Sequence, residues 1–72
     1  MTDRPIDVLD KAKGKKVMIK LKNGEEVIGT LKALDLHLNL WLEEAEVSKS
    51  DVKIRLGNIL VRGDTIVYAS PV

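Results

Sequence analysis

Beyond Gly14, apolar residues recur at every second position, the spacing that places them on one face of a β-strand. Four groups of apolar positions have this spacing: Val17, Ile19 and Leu21; Val27, Leu31 and Ala33; Leu36, Leu38, Leu40 and Leu42; and Val52, Ile54 and Leu56. The fourth group resumes over residues 59–61, and residues 65–69 form a short last strand. The pattern therefore predicts five antiparallel strands, with the third over 36–42 and a polar loop over 43–51.

Glycines mark the places where these strands turn or bend. Asn23-Gly24 lies between the first two strands and is a strong signal for a tight hairpin. Gly29, in the middle of the second strand, predicts a sharp bend or a close approach of another backbone. Gly57-Asn58 predicts a bend or bulge in the fourth strand. Such bends would curl a small sheet toward a barrel.

Residues 5–13 are the only segment in which apolar residues recur at the spacing of a helix. Pro5 suits an early helical position. Thr2 and Asp3 are candidates for the N-cap, because their short side chains accept hydrogen bonds from the first free N–H groups. Gly14 ends the helix. We therefore expect an all-β fold with one short N-terminal helix.

The chain is short for a domain that is stable alone. With 72 residues, it buries only about 60% of the surface that its unfolded form exposes. It has no cysteine and a single histidine, which excludes disulfides and a zinc cage as extra support. We expect no metal or other cofactor. A small open sheet has two edge strands that can pair with other chains, so we expect a homo-oligomer.

Charge and hydropathy exclude several classes of protein. The formal net charge is +1, which is too small for binding to duplex DNA by charge alone, so any nucleic-acid site must be local. No apolar run approaches the ~18 residues of a membrane span, and the first residues lack the apolar core of a signal peptide. Because the absence of cysteine suits a reducing compartment, we expect a cytoplasmic protein.

No group of residues has the composition of a catalytic site. Ser48 and Ser50 have no obvious partner histidine, and the five glycines are scattered rather than gathered in a phosphate-binding loop. Pairs of glutamates occur at 25–26 and 43–44, but adjacent strand residues point to opposite faces. We therefore expect no enzymatic activity.

The segment 35–39 combines residue types that suit an unstacked base. His37 and Asn39 lie two apart on the polar side of the predicted third strand or its entry turn, so their side chains are expected to point the same way. An imidazole can stack on a base, and an amide can donate and accept hydrogen bonds at the edge of that base. The alternative, a solvent-facing histidine and an asparagine that stabilises a turn, stays open on these residues alone.

Arg62-Gly63-Asp64 is a second candidate segment. A guanidinium can stack on a base and attract phosphate. Gly63 is expected to supply the positive φ of a tight turn and to let a ligand approach the backbone. The alternative is an ordinary hairpin turn with exposed charges.

With both segments in view, the chain resembles the Sm and Sm-like (LSm) family, particularly its archaeal members. The first Sm motif corresponds to residues 15–43 and carries Leu21, Asn23-Gly24, Gly29, Asp35 and Asn39. The second lies within residues 52–69 and carries the run from Leu56 to Asp64. A variable loop, residues 44–51, separates them, and the resemblance covers nearly all of residues 1–72 as a single Sm domain.

The resemblance implies a fold and an assembly. The fold is a strongly bent, five-stranded antiparallel small barrel behind an N-terminal helix. The assembly is a ring joined by pairing of the fourth and fifth strands, commonly with seven identical subunits in archaea. Seven and six subunits differ only slightly in the angle between neighbours, so a hexamer stays open.

The resemblance also implies a uridine-binding site at the pore of the ring. In that site His37 stacks on the base, Asn39 hydrogen-bonds to its edge, and Arg62 stacks from the second motif. Gly63 and Asp64 shape the site, and Asp35 supports the loop that carries Asn39. Leu38 stands where many members have methionine, a change that conserves volume. Near the helix, three basic residues could form a secondary RNA surface: Arg4, Lys11 and Lys13.

We therefore expect a ring subunit that binds single-stranded, uridine-rich RNA and holds or remodels it for processing or turnover. RNA-processing proteins are further expected partners, and no membrane partner is expected. The alternative is a scaffold for protein interactions, in which the ring faces or the helix recruit partners and RNA binding is incidental.

Overall fold

The computed structural model describes residues 4–72, which form one helix and one antiparallel sheet. The elements are helix α1 (Pro5–Asp10) and the strands β1 (Lys16–Leu21), β2 (Glu26–Leu34), β3 (Leu40–Lys49), β4 (Val52–Val61) and β5 (Ile66–Pro71), with a single 3₁₀ turn at Gly63–Thr65 between β4 and β5. The strand order is β4-β3-β2-β1-β5. The predicted all-β fold with a short N-terminal helix is confirmed.

Helix α1 is shorter than the predicted 5–13. It ends at Asp10, and the chain then turns so that the Gly14 N–H donates to the Leu31 carbonyl at 2.7 Å. Gly14 has a φ of +84°, a conformation that favours glycine. The two expected N-cap residues, Thr2 and Asp3, lie outside the described residues.

The third strand begins later than predicted and runs further. Residues 36–39 form a turn and its exit, with Leu36 78% exposed. The apolar alternation there was misleading, because the Asp35 carboxylate bonds to two following N–H groups and so favours a turn. The predicted polar loop over 43–51 is also wrong, because β3 continues to Lys49. Only Ser50 and Asp51 separate β3 from β4, both with positive φ, as in a two-residue hairpin.

The predicted bends at Gly29 and Gly57 are confirmed. The register of β2 against β3 shifts between Ile28 and Thr30. A Cβ on Gly29 would lie 3.2 Å from the Cα of Ala45, so the close approach of β2 and β3 favours glycine, and a larger residue would require the backbone of β3 to shift. Gly57 faces Ala45 at register shifts in β3–β4 and has a φ of +79°. These irregularities curl the sheet.

Apolar residues from the turn after α1 through β4 fill the inside of the curled sheet. The buried residues are Ala12, Val17, Ile19, Val27, Leu31, Leu40, Leu42, Ala45 and Val61, and Ile66 and Ala69 of β5 pack against them. Each large apolar side chain that is fully buried contributes about 1.5–3 kcal/mol. No polar or charged residue among residues 4–72 is buried.

The two edge strands present apolar side chains to solvent. Strand β4 pairs with β3 alone, and β5 pairs with β1 alone. Their exposed apolar residues are Val52, Ile54, Leu56 and Leu60 on β4, and Val67 and Tyr68 on β5. Unpaired edges of this kind favour association with another chain. Within residues 4–72, no helix has the length and apolar character needed to cross a membrane.

Candidate nucleic-acid interface

Two loops that are distant in sequence meet at one end of the sheet. The Asp35 loop (residues 35–39) precedes β3, and the Arg62 turn (residues 62–64) follows β4. Leu40, the first residue of β3, pairs directly with Val61, the last residue of β4. The antiparallel ladder therefore brings the two loops together, although 24 positions separate Asn39 from Gly63.

Asp35 organises its loop through three hydrogen bonds. Its Oδ1 accepts from the backbone N–H of His37 at 2.9 Å and from that of Asn39 at 3.0 Å, and its Oδ2 accepts from the Asn39 side-chain amide at 3.0 Å. These bonds favour the charged carboxylate, with the Asn39 side chain the largest cause, and they hold the pKa of Asp35 below its ordinary value. The loop is therefore held most firmly when Asp35 is ionised.

The Asn39 side chain joins the Asp35 loop to the Arg62 turn. Its Oδ1 accepts from the backbone N–H of Gly63 at 2.9 Å, while its Nδ2 donates to Asp35. Rotating the amide by half a turn would set two donors against each other at Gly63 and two acceptors against each other at Asp35. The orientation of the amide is thus fixed, and it keeps one N–H and one oxygen lone pair for a ligand.

Gly63 is needed for space rather than for a positive φ. The predicted positive φ is wrong, because only Gly14, Gly24 and Gly57 among the described glycines have one. A Cβ on Gly63 would overlap the carbonyl oxygen of His37 and lie 2.9 Å from the carbonyl carbon of Leu38. Only glycine lets the two loops pack backbone to backbone.

Leu38 has a backbone conformation that its sequence does not signal. Its φ is +60°, in the left-handed region that bulky residues rarely occupy. It lies between His37 and Asn39 and is held by a bond from its N–H to the Asp35 carbonyl at 3.0 Å. His37 and Asn39 lie in the entry turn before β3, one of the two placements expected for them, so the alternation of a strand does not set their directions.

Two of the expected ligand side chains are exposed at this junction. His37 is exposed, and its backbone touches Gly63. Arg62 donates from Nη2 to Oδ2 of Asp64 at 2.9 Å, with side chains 72% and 62% exposed. This ion pair is worth little in stability, but it limits the positions that the guanidinium can take. The structure thus brings together the two loops that carry the residues predicted for the uridine site, namely Asp35, His37, Asn39, Arg62, Gly63 and Asp64.

The second expected surface has much of its charge paired within α1 and the turn after it. Arg4 donates from Nε and Nη2 to the carboxylate of Asp7 at 3.0 and 3.1 Å. Lys13 pairs with Asp10 at 3.2 Å. Acidic neighbours therefore offset the charges of Arg4 and Lys13. Within the described part of the chain, no three His, Cys, Asp or Glu residues are grouped to hold a metal ion.

Comparison with known proteins places this fold in one class, the small barrels of the Sm type. The sequence model of the LSM domain matches residues 7–71. A relative from Archaeoglobus fulgidus, provisionally named an snRNP Sm-like protein, is 42% identical over 72 residues, which cover 99% of this chain and 94% of the relative. The chain belongs to the LSM (Sm-like) family.

Solved structures show the same fold. The SmAP1 heptamer of P. aerophilum has a TM-score of 0.92 at 33% identity and covers 100% of this chain and 97% of its own. The Sm protein of Pyrococcus abyssi, solved in complex with a uridine heptamer, has a TM-score of 0.90 at 38% identity and covers 97% of this chain and 100% of its own. The predicted Sm fold is therefore confirmed.

Proposed function

We propose that this protein binds single-stranded, uridine-rich RNA, with one base held where the Asp35 loop meets the Arg62 turn. The fixed orientation of the Asn39 amide carries this proposal. Gly63 and Asp35 hold the amide from two sides, so its remaining N–H and oxygen lone pair are available in a defined arrangement. The Pyrococcus abyssi relative, solved with a uridine heptamer, supports the same ligand class.

Uracil has the edge that such an amide recognises. Its imide N–H lies beside a carbonyl oxygen, so the Asn39 oxygen can accept from the one while the Asn39 N–H donates to the other. Cytosine has a ring nitrogen acceptor and an amino donor in the same places. Because the amide cannot rotate without losing both of its own bonds, cytosine would meet a mismatch at both contacts.

Stacking supplies most of the binding energy for each base. His37 on one loop and Arg62 on the other are both exposed and offer flat groups that can lie against the two faces of a base. Stacking of this kind contributes about 1–3 kcal/mol per base. A single site of this strength binds weakly, so firm binding to RNA requires several sites on one strand.

A ring provides those sites. Each subunit has one unpaired edge at β4 and another at β5. If β4 of one subunit pairs with β5 of the next, the contact is head-to-tail, and a series of such contacts can close into a ring. Two solved relatives are heptamers, and we propose seven subunits here. Neighbouring sites then bind successive nucleotides, and each bound base raises the effective concentration of the next site.

The proposed activity is passive. This chain would hold or remodel RNA during processing or turnover in the cytoplasm, without catalysing a reaction. Its exposed apolar residues, such as Val8 at 51%, favour a second candidate, a scaffold that recruits RNA-processing proteins. Partners captured equally well from extract with and without ribonuclease treatment would support the scaffold.

The proposal is tested with labelled heptauridine and heptacytidine in fluorescence anisotropy. We expect the wild-type protein to prefer heptauridine. His37→Ala and Arg62→Ala should each weaken heptauridine binding by about tenfold or more, since each removes a stacking group. Arg55→Ala, an exposed arginine on β4, is the matched control and should retain affinity. Native mass spectrometry should show intact rings throughout. Unchanged affinity in both site variants would remove the site as proposed.

A further inference from the structure

An apolar groove of about 530 Å³ lies between α1 and β5 and reaches the RNA-binding loops. Val8 and Leu9 of α1 line it together with Val67 and Ala69 of β5, and so do Leu38 and Gly63. None of its ten lining residues is charged. A groove without a cation does not fit the phosphate backbone of RNA, so its occupant is expected to be apolar.

The position of this groove suits a second copy of the chain. Its β5 wall is an edge strand whose outer side has no partner. The other edge strand, β4, carries Leu56 and Leu60, which are 50% and 60% exposed. If β4 of a second copy pairs with β5, its side chains point alternately to the two faces of the extended sheet. Those on the α1 side can enter the groove, and apolar side chains fit its lining.

Leu38 connects the groove to the bound base. It lies in the left-handed conformation between the stacking residue His37 and the amide of Asn39, and it is 36% exposed in the protomer. A change in the backbone of Leu38 moves both neighbours. A left-handed φ is unfavourable for leucine, and a side chain packed against Leu38 in the groove would help to stabilise it.

We propose that the neighbour's β4 edge, which pairs with β5 in the proposed ring, also fills this groove, and that the contact stabilises the Leu38 turn and thereby strengthens the uridine site. Leu38 is then a positioning residue, and the affinity of each site depends on the subunit beside it. This inference rests on the proposed function and adds to it, because it links assembly to the affinity for a single base. That link is separate from avidity, which needs a ligand long enough to span two sites.

Uridine monophosphate separates the two effects, because it occupies one site only. We expect Val67→Ala, which trims the groove on β5, to lower the affinity for uridine monophosphate about fivefold or more while native mass spectrometry shows the ring intact. Val72→Ala is the matched control, because Val72 is 80% exposed and does not line the groove, and its affinity should stay unchanged. Val8→Ala trims the opposite wall without touching an edge strand and should behave as Val67→Ala does.

The outcomes distinguish this inference from the proposed function. If the wild-type ring binds neither heptauridine nor uridine monophosphate, the proposed function fails. If it binds both, and the Val67 and Val8 variants bind uridine monophosphate as well as the Val72 variant does, only the link between groove and site is overturned.

The identity of the occupant can be tested separately by thiol labelling. The chain has no cysteine, so a variant with one introduced cysteine has a single reactive thiol. Val67→Cys puts a thiol at a position that is 59% exposed in the protomer, and Val72→Cys puts one at a position that is 80% exposed. If a neighbour covers the groove, the purified ring of the first variant should react with a maleimide about tenfold or more slowly than that of the second. Equal rates would show that no second copy fills the groove.

Discussion

In the proposed site, the selectivity of Asn39 comes from residues that need not touch RNA. Asp35 and Gly63 are its hydrogen-bonding partners, and they decide which end of the amide carries the acceptor. Each partner is itself constrained: Asp35 also accepts two backbone N–H groups, and Gly63 packs against the backbone of His37 and Leu38. The proposed preference for uracil would therefore be built into the fold of the two loops.

Replacing Gly63 should damage both stability and binding. Gly63→Ala places a methyl group against the His37 carbonyl, and such overpacking costs about 1–3 kcal/mol. We expect a lower midpoint in urea unfolding and a clear loss of heptauridine affinity. Gly24→Ala is the control, because Gly24 has a φ of +91° with nothing within 4 Å of an added Cβ. It should lose some stability from backbone strain alone and retain its affinity for RNA.

The Asp35 network also predicts a dependence on pH. Its hydrogen bonds lower the pKa of Asp35, so the network is fully formed above the ordinary carboxyl value of about 3.9 and is lost as the pH falls through the lowered pKa. We expect heptauridine affinity to show no contribution from Asp35 titration between about pH 5 and 8 and to fall in stronger acid.

Asp35→Asn provides the control for this pH dependence. The variant keeps an oxygen for the backbone N–H groups but sets an amide donor against the Asn39 amide, so its affinity at neutral pH should be lower. Its acid-dependent loss should be smaller than that of the wild-type protein. An identical acid profile in both proteins would assign the titration to another group.

The edge strands have a different task from the loops. β1, β2 and β3 supply most of the core, whereas β4 and β5 present apolar side chains and unpaired backbone groups to solvent. An isolated protomer of this size gains limited stability from its core. Pairing of the two edges between copies would both satisfy the backbone and cover these side chains.

A charge on one edge should therefore block assembly. Leu60→Glu puts a carboxylate on β4 at a position that is 60% exposed in the protomer, and burying it unpaired against a neighbour would be unfavourable. We expect native mass spectrometry to show mainly protomers. Leu36→Glu, at a position that is 78% exposed outside the edge strands, should still form rings. Rings of normal size from both variants would argue against edge pairing through β4.

At the scale of the whole molecule, the sequence was enough to predict the number of strands and the positions of their bends. The glycines at 29 and 57 marked real irregularities because glycine has few other reasons to interrupt a strand. The start of β3 and the length of the β3–β4 hairpin could not be predicted. Leucines alternate through the Asp35 loop as they do in a strand, whereas over residues 43–51 only Ala45 and Val47 pack in or against the core, and the polar residues around them resemble a loop.

The geometry of the site could be predicted only in part. The residue types at 37, 39 and 62 indicated a site for a base, but nothing in the sequence signals the left-handed backbone of Leu38. The bond from Gly63 to Asn39 joins segments 24 positions apart, and it depends on the pairing of β3 with β4. Long-range register of this kind is a property of the folded sheet.

The most direct measurement of the central claim is a crystal structure of the assembled protein with heptauridine. We predict a closed ring in which each bound uracil lies between the imidazole of His37 and the guanidinium of Arg62, with its edge bonded to the Asn39 amide. A uracil bound away from these three side chains, or a protein that crystallises with RNA as separate protomers, would contradict the account.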